Sequence, residues 1–238
     1  MKNRIVAWIK KQVKDSQAKG IVLGLSGGID SAVVAALCKA AVGKANLLLL
    51  SLPCNSQARD FLDAQLVAKR LGLKLKRVDL SGVYNNFLKI LPAGKALAQG
   101  NLKPRLRMST LYYFANQLNY LVCGTGNKSE LLVGYFTKYG DGGVDILPIA
   151  DLFKHQVCKL AQELDIPQSI IAKPPTAGLW QGQTDEGEMG ITYRELDDIL
   201  ARLSCQRKQT LNSAKVGKVQ RMLKKSEHKR NGASICRL

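Results

Sequence analysis

One turn between two apolar segments constrains this chain more than any other feature. Ile21-Val22-Leu23-Gly24-Leu25 is a short apolar run bounded by Gly20 and the Gly27-Gly28 pair, and good helix formers follow from Ala32 to Val42. A short apolar run without polar alternation reads as a strand buried on both faces, the habit of parallel sheets. The turn itself is Gly24-Leu25-Ser26-Gly27-Gly28-Ile29-Asp30-Ser31. Gly27 and Gly28 let the backbone turn tightly and approach a ligand closely. Successive N–H groups then form an anion-binding concavity. The helix beginning near Asp30 aims its N-terminal N–H groups and positive dipole end at the same spot. Ser26 and Ser31 add hydroxyl donors, and together these parts predict a phosphate cradle. Asp30 would repel a phosphate unless Mg²⁺ bridges the two. The plainer alternative is an ordinary glycine turn with Ser26 or Asp30 as a helix cap, and it accounts for less of the string.

The rest of the chain alternates in the same way. Residues 4–17 read as an amphipathic helix, and Asn46 to Leu52 as a second strand stopped by Pro53. Asp60 to Leu71 reads as a helix with Phe61, Leu62, Leu66, Val67 and Leu71 inward, and Leu73 to Leu80 as a third strand. One or two short helices are expected in 81–103. Pro104 suits the first turn of a helix holding Leu111, Phe114, Ala115 and Leu118. Tyr120 to Cys123 reads as a fourth strand. Residues 137–150 form a Gly- and Asp-rich loop, followed by a helix over about 151–164 capped by Asp151. Residues 173–190 read as a long ordered loop. Helices over about 192–203 and 210–225 and an eight-residue tail close the chain. Alternating strands and helices predict an α/β fold: a doubly wound parallel sheet with helices on both faces. Ligand then sits at the carboxyl ends of the strands, near the switch in strand order.

Composition excludes less than it permits. The 36 Lys+Arg against 18 Asp+Glu give a net charge of +18. That excess attracts polyanions without choosing among nucleic acid, an anionic membrane surface and phosphate-rich small molecules. Six cysteines stand singly with no C-x-x-C pair, which weakens zinc-ribbon and thioredoxin readings and suits a reducing cytoplasm. No apolar run approaches the ~20 residues of a membrane span, and no signal-peptide core follows Met1. A soluble cytoplasmic protein is therefore expected. The two histidines, His155 and His228, form no Ser–His–Asp or Cys–His pattern.

The turn resembles the S-G-G-x-D-S loop of the N-type ATP pyrophosphatases, which cleave ATP between its α- and β-phosphates. Later segments resemble one branch, the NAD synthetase family. They are Asn101 to Met108 (with Pro104 where the family has Ala), Gly124-Thr125-Gly126-Asn127-Lys128-Ser129-Glu130, Gly134 to Leu152, Lys173 to Tyr193, and Glu227-His228-Lys229-Arg230. The resemblance spans about residues 20–230. It implies an adenine nucleotide alpha hydrolase-like fold and ATP-dependent amidation of deamido-NAD by ammonia, through an adenylate, giving NAD, AMP and pyrophosphate. It further implies ATP contacts from Gly24, Leu25, Ser26, Gly27, Gly28, Ile29, Asp30, Ser31, Thr125, Lys154 and Thr176. Deamido-NAD contacts are implied for Arg105, Lys138, Asp145, His228 and Lys229. Asp30 and Glu130 are implied as Mg²⁺ ligands, and Asp30 and Lys154 as catalytic. Glu130 also suits a capping box, and Arg107 reads as structural. The family implies a homodimer. Members that use glutamine carry a large amidohydrolase domain, whereas this chain begins about twenty residues before the ATP loop. One synthetase domain over 1–238, using free ammonia, is the expectation. No membrane partner and no specific nucleic acid are expected. An RNA-modifying enzyme of the same superfamily and a non-catalytic nucleotide-binding module are the competing readings. The absence of a C-x-x-C pair opposes the first, and Asp30 with Glu130 opposes the second.

Overall fold

Among the described residues four strands form one parallel sheet: β1 (Gly20–Gly24), β2 (Leu47–Ser51), β3 (Leu75–Arg77) and β4 (Tyr120–Cys123), in spatial order β3-β2-β1-β4. The chain steps outward from β1 to β3, then returns to the far side of β1 for β4. The switch point therefore lies between β1 and β4, where their carboxyl ends open a crevice. The computed structural model describes residues 1–180, 182–204 and 213–236. Position 181 of the Lys173–Tyr193 string, Cys205, and positions 210–212 of the last predicted helix lie outside the described residues.

The helices are α1 (Lys2–Asp15), α2 (Ile29–Val42), α3 (Ala58–Leu71), α4 (Ser81–Ile90), α5 (Ala96–Gly100), α6 (Leu102–Leu118), α7 (Lys128–Val133), α8 (Lys154–Glu163), α9 (Gln168–Ile171), α10 (Asp185–Met189), α11 (Tyr193–Ser204), α12 (Ser213–Lys225) and α13 (Glu227–Arg230). Alternate side chains of each strand face opposite layers. Ile21, Leu23, Leu47 and Leu49 pack with Ile9 of α1, Val33 and Leu37 of α2, Val67 of α3, and Val157 and Leu160 of α8. Val22, Leu50 and Val122 pack the other way, with Tyr84 of α4 and Ala115 of α6. A third cluster joins Val133, Leu196, Leu200 and Val219, from α7, α11 and α12.

Three expectations need correction. The inward face of α3 is Asp63, Ala64, Val67, Ala68 and Leu71, whereas Leu62 and Leu66 are exposed. Alanines let α3 approach the core more closely than the leucines would. The third strand is only Leu75–Arg77, shorter than Leu73 to Leu80. Asp151 does not cap α8: it lies out in solvent on Lys128 Nζ at 2.7 Å. The first N–H groups of α8 are met from elsewhere, Lys154 N donating to Ser129 Oγ at 3.0 Å and His155 N to Asp197 Oδ2 at 3.1 Å.

Candidate active site

A cleft of about 500 Å³ opens at the switch point. Its floor is the turn after β1. Gly27 has φ of +81°, and a Cβ there would stand 2.5 Å from Asp60 O and 2.9 Å from Asp63 Cβ. Only glycine fits this position without strain. Gly27→Ala is expected to cost about 2 kcal/mol or more, from the left-handed backbone plus the clash, and to weaken ATP binding. Thermal melts and ATP titration check this, and a variant that melts and binds like wild type would contradict it.

Both serines of the turn staple it shut. Ser31 Oγ donates to Gly28 O at 2.9 Å, and its oxygen lies 3.0 Å from Ser26 Oγ. Ser26 Oγ in turn accepts from Gly28 N at 3.2 Å. Gly28, extended at φ −95°, is the N-cap of α2, and no side chain caps that helix. Its leading N–H groups are thus left for an anion. Neither Ser26 nor Asp30 is the helix cap; that position is held by Gly28.

Asp30 points across the cleft. Its Oδ2 accepts from Lys154 Nζ at 2.6 Å and its Oδ1 from Asn127 Nδ2 at 2.9 Å. Glu130 Oε1 accepts from the same ammonium at 3.2 Å. Glu130 also closes a capping box with Asn127 at the start of α7, the plainer of the two readings of that residue. Burial pushes the Glu130 carboxyl up to about 7; Lys154 opposes the rise and Asp30 adds to it. Burial also works against the Lys154 charge, but Asp30 and then Glu130 overcome it and hold the ammonium above the ordinary lysine range. Two carboxylates thus face one cation, a local excess of one negative charge.

Residues that the sequence did not single out surround this trio. Tyr193 is buried, with its ring 4.8 Å from Lys154 Nζ and its hydroxyl 3.2 Å from Glu130 Oε1 and 3.0 Å from Asp185 Oδ2. Tyr135 carries the chain on to Asp185 and Glu188. Asp197 accepts from Ser129 Oγ and His155, fixing the start of α8 that bears Lys154. These contacts join segments tens of residues apart, and no local spacing announces them. Asn127 was legible: Asn-x-x-Glu is cap spacing.

The sequence-predicted residues divide into two groups. Thr125, Thr176 and Lys229 line the cleft with Gly24, Leu25, Ser26, Gly28, Ile29, Asp30, Ser31, Glu130 and Lys154. Thr176 Oγ1 donates to Gln183 O at 2.8 Å, and Lys229 Nζ to Gly134 O and Phe136 O, each at 2.8 Å. Gly27, Arg105, Lys138, Asp145 and His228 are not among the lining residues. Arg105 is exposed, its guanidinium 3.4 Å from Lys138 O. Lys138 Nζ donates to the carbonyls of His228 and Asn231, binding the chain end to the loop after α7. The exposed His228 imidazole has its Nδ1 3.1 Å from Lys225 O, at the end of α12. Asp145 accepts from Val122 N at 2.7 Å and Tyr112 OH at 2.9 Å, securing the edge of β4. Arg107, read as structural, spans Leu52 O and Ser56 Oγ and also lines the cleft.

The chain and its fold match known proteins. The family model for NAD synthase covers residues 1–233. The chain belongs to the NAD synthase family. An NH3-dependent NAD+ synthetase of Archaeoglobus fulgidus is 47% identical over 99% of this chain and 95% of its own. Among solved structures, the NMN synthetase from Francisella tularensis superposes with a TM-score of 0.91 at 38% identity, covering 100% of this chain and 97% of the other. An NH3-dependent NAD synthetase from Campylobacter jejuni, in complex with the nitrate ion, gives 0.86 at 32%, covering 99% and 97%. The NAD synthase relationship is thus carried by nearly the whole chain. It includes the parallel sheet and the turn after β1.

Two carboxylates converging on one ammonium form a hard-oxygen donor set that fits Mg²⁺, which is held by one or two carboxylates together with phosphate oxygens and waters. Among the described residues no group of three or more His, Cys, Asp or Glu is placed to hold a metal, so the protein alone forms no full cage.

Proposed function

We propose that this member of the NAD synthase family is an ammonia-dependent NAD synthetase, a ligase that amidates deamido-NAD with consumption of ATP in the last step of NAD biosynthesis. The carrying observation is the Asp30–Lys154–Glu130 trio beside an uncapped helix N-terminus in a chain of this family. The cradle binds ATP phosphates through N–H groups of α2. A carboxylate oxygen of the pyridine ring attacks the α-phosphorus, the bond to the β-phosphate breaks, and pyrophosphate leaves. Lys154 stabilises the negative charge that grows on the departing group. Asp30 and Glu130 would hold Mg²⁺, which when bound neutralises phosphate charge. Ammonia then attacks the acyl carbon, AMP departs with the former carboxylate oxygen, and the nitrogen sheds one proton. Thr125 and Thr176 belong to the ATP side of the cleft and Lys229 to the dinucleotide side.

Arg105, Lys138, Asp145 and His228 lie outside the lining of this cleft, which supports a dinucleotide site completed by a second copy of the chain. The chain is read as one synthetase domain. No helix among the described residues is long and apolar enough to cross a membrane. The free thiols of Cys38, Cys54, Cys123, Cys158 and Cys236 support a reducing, cytoplasmic setting.

Incubation with deamido-NAD, ATP, Mg²⁺ and ammonium is expected to give NAD and AMP in equal amounts. AMP without NAD would move the acceptor elsewhere, and no ATP cleavage would overturn the reading. The likeness to a structure described as an NMN synthetase favours a second acceptor, nicotinate mononucleotide. The ratio of kcat/KM for the two acceptors decides between them.

A further inference from the structure

Asn127 is fully buried and meets both carboxylates of the trio, Asp30 through its carboxamide and Glu130 through its backbone N–H. Its Nδ2 donates to Asp30 Oδ1 at 2.9 Å, while its Oδ1 accepts from Glu130 N at 3.0 Å. Its backbone N–H donates to Glu130 Oε2 at 3.3 Å. The amide can be oriented only one way, because a flip would aim oxygen at a carboxylate and NH₂ at an N–H. Asp30 comes from the first turn of α2 and Glu130 from the first turn of α7, 100 residues later. We infer that Asn127 is a positioning residue, fixing Asp30 against Glu130 so that Asp30 Oδ2 and Glu130 Oε1 converge on one cation position, the place where both meet Lys154 Nζ. This inference rests on the reading of that pair as the cation-binding end of the ATP site.

The chemistry of the residue supports the role. A lysine or arginine in its place would set a second cation beside Lys154 on Asp30 and compete further with a metal ion. An aspartate would set a third negative charge beside the pair. A carboxamide donates to one carboxylate and caps the helix of the other without adding charge. Groups that orient metal-binding carboxylates by hydrogen bonding matter to affinity about 10–100-fold.

Asn127→Ser and Asn127→Thr retain a side-chain oxygen to cap α7 and lose the donor to Asp30, so the two roles separate. Three quantities are compared with wild type: the thermal midpoint without metal, Mn²⁺ affinity by electron paramagnetic resonance with α,β-methylene-ATP present, and steady-state KM values. Both variants are expected to fold and to bind Mn²⁺ about tenfold more weakly. The KM for Mg²⁺-ATP should rise and that for deamido-NAD should stay unchanged. A folded variant with wild-type Mn²⁺ affinity and Mg²⁺-ATP KM would overturn the inference. So would a parallel loss in every constant together with a fall in the midpoint, which would mark general loosening. If wild type made no NAD yet bound Mn²⁺ in an Asn127-dependent way, the functional reading would fail and this inference would stand.

Discussion

Lys154→Met is expected to lower kcat by about a thousandfold, the scale for removing a single preorganised charge donor. It should also destabilise the free protein. Methionine matches the lysine stem in length and packs under Tyr193, so the loss is mainly electrostatic. Asp30 and Glu130 would then face each other, largely buried, with no cation between them. Breaking a buried ion pair by removing one partner costs about 3–5 kcal/mol. For a chain of this size that lowers the thermal midpoint by roughly 10 °C. Part of the loss should return at lower pH, where one carboxylate takes a proton. Melts over a range of pH, paired with the NAD assay, check both effects. An active Lys154→Met enzyme, or one as stable as wild type at neutral pH, would contradict the account of the trio.

Glu130→Gln is expected to act oppositely on stability while also abolishing most activity. Its carboxyl is raised to about 7 by burial, with Lys154 opposing and Asp30 reinforcing the shift. An unfolded glutamate titrates near about 4.3. Between these values the folded protein holds a proton that the unfolded chain lacks, so stability falls as pH rises through this window. The whole penalty is present above pH 7. Glutamine is neutral throughout and leaves Lys154 paired with Asp30 alone. At pH 8 the variant should exceed wild type by on the order of 1–3 kcal/mol, with the gap closing toward about pH 4. Loss of a carboxylate aimed at the cation should lower kcat/KM for ATP about a hundredfold or more. A variant less stable than wild type at pH 8 would show that Glu130 serves the fold rather than opposing it.

Much of this was readable from the sequence where the signal is local. The buried run Ile21 to Leu25, the Gly27-Gly28 turn and the following helix stand where the pattern put them. Asp30, Glu130 and Lys154, which the family resemblance singled out, stand together as an ion-paired trio. Where local signals misled, tertiary partners had replaced them. Asp151 has the composition of a cap, yet Ser129 and Asp197 meet the N–H groups at the start of α8. Ranking leucine above alanine turned α3 the wrong way, because Ala64 and Ala68 pack in and Leu62 and Leu66 face out. Tyr193, Asp185 and Asp197 carry no spacing that points to Lys154 or Glu130, and only folding brings them there. Arg105, Lys138, Asp145 and His228 were matched by motif, and within the chain they serve loop, strand-edge and C-terminal contacts.

The most direct test follows an oxygen atom. Deamido-NAD labelled with ¹⁸O in its carboxylate is turned over with ATP, Mg²⁺ and ammonium, and the products are read by mass spectrometry. Attack of the carboxylate on the α-phosphorus requires that AMP carry one labelled oxygen from the carboxylate and that pyrophosphate carry none. Label in pyrophosphate, or AMP free of label while NAD forms, would contradict an adenylate formed in this cleft.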